Sequence, residues 1–250
     1  AHRPLFAAGG PVISDINQYA IGDCYFLSAL QAVVNTSPNF IKSMIHSNSN
    51  GTYSVRFFKN GVADWVTVDE HAYTGGAYSS TSCWVAVLER AYVAFRATYA
   101  VGDNAYSAIS GGAYNAMQQI TGDSVTSFGI LSTTEKEWDT TVYSKLKAAL
   151  ALGEQAQYAS FQNTKDSNGK TSFVSGHMFT ITGYDSATDK FIFTNPWGSS
   201  STSGFNGTFE ASMDQMWQAH AGSIAYANSA GAVNTVGQLV AAAASFGVPA

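Results

Sequence analysis

The sequence predicts an α+β protein with two unlike lobes, and three observations predict it. Apolar residues recur at helical spacing through much of the first half, whereas short β-rich runs separated by turn residues fill most of the second half. No internal repeat is visible, and 250 residues are enough for two lobes that share a cleft and bury a core. We therefore expect a helical N-terminal lobe and a β-rich C-terminal lobe.

Four segments are expected along the chain. Residues 1–14 lack periodicity and predict an extended leader, residues 15–125 the helical lobe, and residues 126–228 the β-rich lobe. Residues 229–250 contain GQLVAAAASFG, which predicts a short helix that packs on the body or links to a further domain. Because the chain starts with Ala, we expect a processed form or part of a longer protein.

The helical half contains a helix, a hairpin and a second helix in order. Asp23 predicts an N-cap, followed by an apolar stripe that ends before Pro38. Asn60-Gly61 separates two β-rich runs and tolerates positive φ, so residues 52–69 predict a β-hairpin. Further along, AMQQIT predicts a short helix between glycines.

Caps mark the later helices. Thr81 and Ser82 are expected to cap the second long helix. Thr134 and Glu137 predict a capping box for a helix that runs to about Leu152.

The remaining elements are mostly strands. Residues 156–162 predict a strand, and HMFTITGY and KFIFTN predict a hairpin joined by DSATD. TFEASMDQMWQAH predicts a strand end and a short helix, and GSIAYAN predicts a closing strand.

Composition excludes several classes of protein. With 46% hydrophobic and 13% aromatic residues and a net charge of -5, the chain is globular and not disordered. It has no Lys/Arg cluster, so neither nucleic acid nor an anionic membrane is an expected partner. No apolar run approaches the ~20 residues of a membrane span. The Ser-, Thr- and Asn-rich, Lys-poor composition favours an exported protein over a cytoplasmic one.

Cys24 has four possible roles: a buried small hydrophobe, half of a disulfide, a metal ligand or a nucleophile. Two cysteines are too few for a disulfide framework or a structural zinc site. The buried thiol suits Cys83 better, because Trp84 opens a buried stripe directly after it. Cys24 lies at a predicted helix N-terminus, where N–H groups and the helix dipole lower a thiol pKa.

A thiol nucleophile needs a histidine and a group that orients it. His177 follows Gly176 at the start of a predicted strand, and Gly176 would allow another backbone to approach closely. Asn195, in TNPWG at the end of the next strand, is expected beside His177, with Trp197 covering the pair.

Gln18 lies six residues before Cys24. Its side-chain amide suits a donor to a developing oxyanion, together with the backbone N–H of Cys24. The order Cys, His, Asn and its spacing permit a papain-like enzyme without proving one. The chain contains no G-x-S-x-G elbow, H-E-x-x-H motif or Walker loop.

These residues resemble a known family. DINQYAIGDCYFLSAL, CWVAVLERAYVAF with SAISGGAYNAMQQITGD, and SGHMFTITGYDSATDKFIFTNPWG are similar to the protease core of the calpain family of papain-like cysteine peptidases. GTFEASMDQMWQAHAGSIAYAN resembles the end of that core, so the resemblance extends from about Asp15 to Asn228.

The resemblance implies a papain-like two-lobe core with its active site in the cleft, and limited endoproteolysis of polypeptides. Cys24 would be the nucleophile, His177 the acid and base, Asn195 the orienting residue and Gln18 an oxyanion donor. The same resemblance suggests three substrate-binding positions at the cleft: Gly122, Gly176 and Trp197.

Three departures from the family pattern matter. Tyr25 stands where the family has Trp after the nucleophile. Asp123 replaces the second glycine of a Thr-Gly-Gly junction, which would put a side chain near the cleft. SSSTSGFNG lacks the acidic calcium ligands expected in the β-rich lobe, and Asp15 alone does not make a site in the other lobe.

We therefore expect a monomeric calpain-like cysteine endopeptidase that acts on polypeptides, needs no cofactor and depends on calcium weakly or not at all. The alternative is a catalytically silent module that binds peptides in the same cleft. A third possibility is an autoinhibited form in which the leader lies over the cleft. We also expect that the protein has further domains that are missing from this chain.

Overall fold

The computed structural model describes residues 3–70, 73–97, 103–111, 115–129, 132–198, 204–219 and 223–227. The helix predicted within the tail, residues 229–250, lies outside the described residues. Helix and sheet both occur throughout the described part, which confirms the mixed fold class.

Seven α-helical segments occur in the described residues. They are α1 (Cys24–Thr36), α2 (Pro38–Met44), α3 (Trp84–Arg96), α4 (Ala116–Thr121), α5 (Glu135–Glu137), α6 (Tyr143–Ala151) and α7 (Met213–Gln218). Two 3-10 turns lie at Ile13–Asp15 and Asp103–Ala108, and a π-helical turn at Trp138–Val142 joins α5 to α6. Within these ranges, no helix has the length and apolar character needed to cross a bilayer.

Nine strands form two antiparallel sheets in the described part. They are β1 (Ile45–Ser47), β2 (Thr52–Lys59), β3 (Val62–Asp69), β4 (Val125–Gly129), β5 (Ala156–Ser160), β6 (His177–Asp185), β7 (Lys190–Thr194), β8 (Thr208–Ala211) and β9 (Ser223–Ala227). The first sheet has the order β1-β2-β3, and the second has the order β4-β9-β5-β6-β7-β8.

The hairpin predicted around Asn60-Gly61 is confirmed. Strands β2 and β3 pair over their full length, and Asn60 and Gly61 have φ of 54° and 77°. Two consecutive left-handed residues give the turn the twist that antiparallel strands need. Helix α2 and strand β1 were not predicted, because Pro38 begins a new helix at its N-terminal position instead of ending the structure.

The predicted caps of α3 are wrong. Cys83 is its N-cap, and no side chain caps the helix. Instead, the N–H groups of Cys83 and Trp84 donate to the carbonyls of Pro4 and Leu5, at 3.0 and 3.1 Å. The leader therefore satisfies the free N–H groups that Thr81 and Ser82 were expected to satisfy.

The capping box of Thr134 and Glu137 is confirmed. The Thr134 hydroxyl accepts the N–H of Glu137, and the Glu137 carboxylate accepts the N–H of Thr134. The helix then continues through the π-helical turn to Ala151, close to the predicted end.

Two buried clusters make up the interior of the part of the chain that the structure describes. One lies between α1–α4 and the first sheet and includes Phe26, Phe57 and Tyr92. The other lies between the second sheet, the π-helical turn, α6 and α7, and it includes Trp138 and Tyr158. Helix α1 also packs against β5 and β6, so it joins the two clusters.

Candidate active site

Cys24 is the first residue of α1 and is partly exposed to solvent. The carbonyl of Asp23 accepts the N–H groups of Phe26 and Leu27 at 2.8 and 3.1 Å, which starts the helix. Asp23 is the N-cap as predicted, but its side chain makes no capping hydrogen bond. Residues 25–34 are buried, whereas Cys24 is only partly buried. Packing of the helix therefore fixes the thiol in place and leaves part of it accessible.

The expected low pKa of the Cys24 thiol is not found. Burial raises the pKa of Cys24 above its ordinary value, and Asp23 adds to the rise when its carboxyl group is ionised. Hydrogen bonds with the backbone of Met178, Tyr25 and Cys24 itself lower the pKa without reversing the effect. Lost hydration thus outweighs the helix N-terminus. The contact with Met178 places the thiol beside the residue that follows His177.

His177 is the first residue of β6 and is only 6% exposed. The preceding Gly176 has φ of +66°, and its N–H donates to the Ser160 carbonyl at 2.9 Å. A Cβ at Gly176 would meet nothing within 4 Å. The left-handed backbone, and not the predicted close approach of another backbone segment, therefore explains the glycine.

Asn195 directly follows β7 and contacts the histidine. Its Oδ1 lies 2.9 Å from His177 Nε2 and also accepts the backbone N–H of Trp197 at 3.0 Å. Because a backbone N–H can only donate, this atom is the amide oxygen, and Nε2 must carry the imidazole proton. The Nδ1 of the neutral ring is then an acceptor, free to take a proton from a thiol.

Aromatic rings enclose His177. The ring centroids of Trp197 and Phe179 lie 4.7 and 4.9 Å from that of the imidazole, and Phe205 packs edge-on against Trp197. Burial lowers the pKa of His177 to about 4, although the hydrogen bond with Asn195 opposes the shift. The imidazole is therefore neutral at pH 7 in this structure.

Gln18 lies beside this pair, held by main-chain contacts. Its backbone N–H donates to the carbonyl of Pro196 at 2.9 Å. Its side-chain Nε2 donates to the carbonyl of Ile21 at 2.7 Å, and the residue is 5% exposed. An amide nitrogen has two hydrogens, so Nε2 can donate twice.

Gly122 has a structural reason of its own. It is the left-handed C-cap of α4, with φ of +78°, and a Cβ there would lie 2.9 Å from the Phe58 ring. The N–H of the neighbouring Asp123 donates to Thr121 Oγ1 at 3.1 Å. Both features fix the backbone at the junction between the two halves of the chain.

A buried polar seam joins α1 to the second sheet. Thr180 Oγ1 lies 2.8 Å from both the Ser28 carbonyl and Gln31 Oε1. Gln157 Nε2 donates to the Tyr25 carbonyl at 2.8 Å and to Ser28 Oγ at 2.6 Å. These hydrogen bonds define how the helix that carries Cys24 sits against the strand that carries His177.

Sequence reasoning missed the seam and the role of Gly198. A Cβ at Gly198, whose φ is +59°, would lie 2.5 Å from the carbonyl oxygen of Ile16 and 2.6 Å from Asn17 Oδ1. Gly198 therefore lets the turn after Asn195 approach the segment that carries Gln18. The only signal in the sequence was its position directly after Asn-Pro-Trp.

The Asp15 side chain accepts hydrogen bonds from neutral donors. Its carboxylate accepts the Trp84 indole N–H at 2.8 Å, the Ser79 hydroxyl at 3.2 Å and the N–H of Val12 at 3.1 Å. In the part of the chain that the structure describes, no three His, Cys, Asp or Glu side chains are grouped as metal ligands would be.

A thiol at the start of a helix, an imidazole at the start of one strand and an amide after the next strand are the side-chain types that a cysteine protease uses. The family model of the calpain family of cysteine proteases matches residues 1–226. The chain belongs to this family.

Individual relatives are distant. Human calpain-9 is 25% identical over 221 residues, which is 78% of this chain and 30% of that protein. Calpain clp-4 of Caenorhabditis elegans is 25% identical over 218 residues, and calpain-type cysteine protease DEK1 of Zea mays is 32% identical over 108 residues. The matched parts are 29% of clp-4 and 5% of DEK1, so the chain spans under a third of these relatives.

Proposed function

We propose that this chain is a calpain-like cysteine endopeptidase that cleaves polypeptides by a Cys-His-Asn mechanism. Family membership supports a protease, and one observation carries the mechanism. The Cys24 thiol is hydrogen bonded to the backbone at Met178, next to a histidine whose Nε2 is held by Asn195 at 2.9 Å.

The proposed reaction begins with proton transfer from Cys24 Sγ to His177 Nδ1. The thiolate attacks the scissile carbonyl carbon, and the resulting oxyanion accepts the backbone N–H of Cys24 and an N–H of the Gln18 side chain. His177 returns the proton to the leaving amine, which leaves a thioester. Water deprotonated by His177 then hydrolyses the thioester and frees Cys24.

Asn195 and Trp197 support the imidazole in this scheme. Asn195 holds the Nε2–H tautomer, so Nδ1 faces the thiol throughout. Trp197 excludes water from the pair, because its ring packs on the imidazole. Burial favours the neutral thiol and neutral imidazole over the ion pair, so proton transfer is expected to accompany substrate binding.

A papain-like two-lobe arrangement is part of the proposal. The two buried clusters would be the lobes, with α1 at their junction and the cleft above Cys24. Gly122 and Gly176 would offer backbone groups to the substrate at opposite walls, and Trp197 would form part of one wall. Asp123 would add a carboxylate beside Gly122.

We propose that calcium is not required. The Trp84 indole N–H and the Ser79 hydroxyl already donate to the two carboxylate oxygens of Asp15. Hydrolysis of fluorescein-labelled casein should therefore be unchanged by a calcium chelator. Loss of hydrolysis with the chelator, restored by added calcium, would contradict this part of the proposal.

The decisive experiment replaces the nucleophile. Cys24→Ser should abolish casein hydrolysis while the circular dichroism spectrum and the unfolding midpoint stay close to those of the wild type. Cys83→Ser is the matched control, because Cys83 is buried at the start of α3, and it should keep activity. Undiminished hydrolysis by Cys24→Ser would contradict the assignment.

A silent peptide-binding module is the second candidate, favoured by the raised thiol pKa of Cys24 and the neutral His177. Alkylation with iodoacetamide separates the two functions. Fast labelling of Cys24 over Cys83 that depends on His177 supports the enzyme. Equally slow labelling of both thiols, with peptide binding but no cleavage, supports the module.

A further inference from the structure

Two buried carboxyl groups lie directly behind the candidate nucleophile. Asp23 precedes Cys24 at the start of α1 and has no exposed surface. Glu89, in the middle of α3, is 1% exposed, and the two side chains interact. The cysteine mechanism uses neither of them.

The two carboxyl groups have different surroundings. Glu89 Oε1 accepts the N–H of Ala77 at 2.8 Å, and a Cβ at Gly76 would lie 2.3 Å from Glu89 Oε2. Glu89 is therefore wrapped by the 76–77 backbone. The oxygens of Asp23 are buried without a hydrogen bond of ordinary geometry.

The charged groups near the pair do not neutralise it. Among the residues that the structure describes, the titratable side chains that interact with Asp23 besides Glu89 are Cys24 on α1 and Tyr92 on α3. The Tyr92 hydroxyl already donates to Gln119 Oε1 at 2.6 Å. Arg90, the neighbour of Glu89 along α3, pairs with Asp69 at 2.7 Å.

Two adjacent carboxyl groups that are buried without a cation cannot both be ionised. The Ala77 N–H favours the charge on Glu89, so the shared proton belongs on Asp23. The pKa directions agree. Burial raises the pKa of Asp23 well above its usual range, with the Glu89 charge adding to it, and burial raises the pKa of Glu89 to about 7.

This arrangement matters for the thiol. An ionised Asp23 raises the pKa of Cys24, whereas a protonated Asp23 does not. The loop held by Glu89 also supports the residues before Cys24, because Ala20 donates to the Gly75 carbonyl at 3.0 Å.

We propose that Asp23 and Glu89 are positioning residues that share one proton, which keeps Asp23 uncharged beside the thiolate while the Glu89 carboxylate holds the loop at Ala77. The proposal rests on the proposed function, since it concerns the activation of Cys24. It assigns the pair no contact with the substrate.

The first test measures the pH dependence of Cys24 alkylation by iodoacetamide in a Cys83→Ser background. Glu89→Gln removes the partner that keeps Asp23 protonated, so the labelling midpoint should rise by about one pH unit, a tenfold slower rate below the midpoint. Asp23→Asn should not raise it, because Asn cannot ionise. The double variant should lose the rise seen in Glu89→Gln.

A purely structural role would give another pattern. Glu89→Gln would then leave the midpoint unchanged, or the double variant would keep the full rise, and either result overturns the proposal. This readout does not depend on turnover. If casein hydrolysis is absent but the three midpoints behave as expected, the proposed function fails and the proton-sharing pair stands.

A second measurement serves if Glu89→Gln does not fold. Infrared spectroscopy of the protein with ¹³C-labelled aspartate side chains should show a protonated carboxyl band at about pH 8, far above the ordinary Asp pKa. The band should vanish in Asp23→Asn. Absence of the band in the wild type overturns the proposal even if Cys24 is shown to be catalytic.

Discussion

The backbone N–H of Gln18 donates to the carbonyl of Pro196 at 2.9 Å, and this contact joins the two ends of the candidate site. Gln18 lies on the segment that leads into α1. Pro196 follows Asn195, directly after strand β7 of the second sheet. The contact is short because Gly198 has no side chain to push against Ile16. The spacing between Cys24 and the imidazole thus depends on a backbone contact remote in sequence.

Gly198→Ala should separate these two segments. The added Cβ would lie 2.5 Å from the Ile16 carbonyl oxygen, and φ is +59°, so the variant suffers both strain and a clash. Gly169→Ala is the matched control, because Gly169 has φ of +80° and open space around its Cβ. Left-handed Ala costs of order 1 kcal/mol in both. We expect Gly198→Ala to lose clearly more stability than the control in urea unfolding, and only Gly198→Ala to lose most casein hydrolysis. Equal losses would show that the contact does not matter.

Asn195→Ala should slow hydrolysis without abolishing it. Removal of Oδ1 frees the His177 ring to rotate and to change tautomer, so kcat should fall by about a hundredfold, at the lower end of the range of general acid–base effects. KM should change little, since Asn195 is fully buried. The measurement is steady-state kinetics on a fluorogenic peptide, with the exposed Asn168→Ala as control. A wild-type kcat in Asn195→Ala would refute the orienting role.

His177 should make the protein less stable in acid. Its pKa is about 4 in the folded protein against an ordinary 6.5, so the unfolded chain binds more protons between these values. Its contribution is therefore lost as the pH falls from about 6.5 to about 4. Between about pH 7 and about pH 4.5 the loss amounts to about 2 kcal/mol. His177→Asn should remove that loss in urea unfolding, whereas His46→Asn, at an exposed position, should keep it.

The carboxyl of Glu89 acts with the opposite sign in the same experiment. Because its pKa is raised from 4.5 to about 7, its contribution is present below pH 4.5 and is lost as the pH rises through 7. Comparison of His177→Asn with the wild type at each pH cancels this contribution. An unchanged pH dependence in His177→Asn would contradict the burial of the imidazole.

Thr180→Val should weaken the seam between α1 and the second sheet. Valine keeps the shape but removes the single hydroxyl hydrogen that the Ser28 carbonyl and Gln31 Oε1 share, which costs about 1–3 kcal/mol because the site is buried. Thr67→Val on the exposed face of β3 is the control and should stay within about 0.5 kcal/mol of the wild type. Similar unfolding midpoints for both variants would show that the seam adds no stability.

Local rules predicted the elements whose structure depends on nearby residues. The turn at Asn60-Gly61 and the capping box at Thr134 follow from interactions within four residues, and both occur as predicted. Prediction failed where contacts with a segment distant in sequence determine how a helix starts. The caps of α3 come from the leader, so no local pattern at Thr81 could reveal them.

The candidate site likewise has features that the sequence predicted and features that only the tertiary structure determined. The order of Cys24, His177 and Asn195 and the residues around them identified the candidates, because thiol chemistry needs these side chains in any fold. Only the tertiary structure decided the tautomer of His177 and the raised pKa of Cys24, since burial and a backbone N–H from Trp197 set them. Residue type determines what a group can do, whereas desolvation and long-range contacts determine its charge.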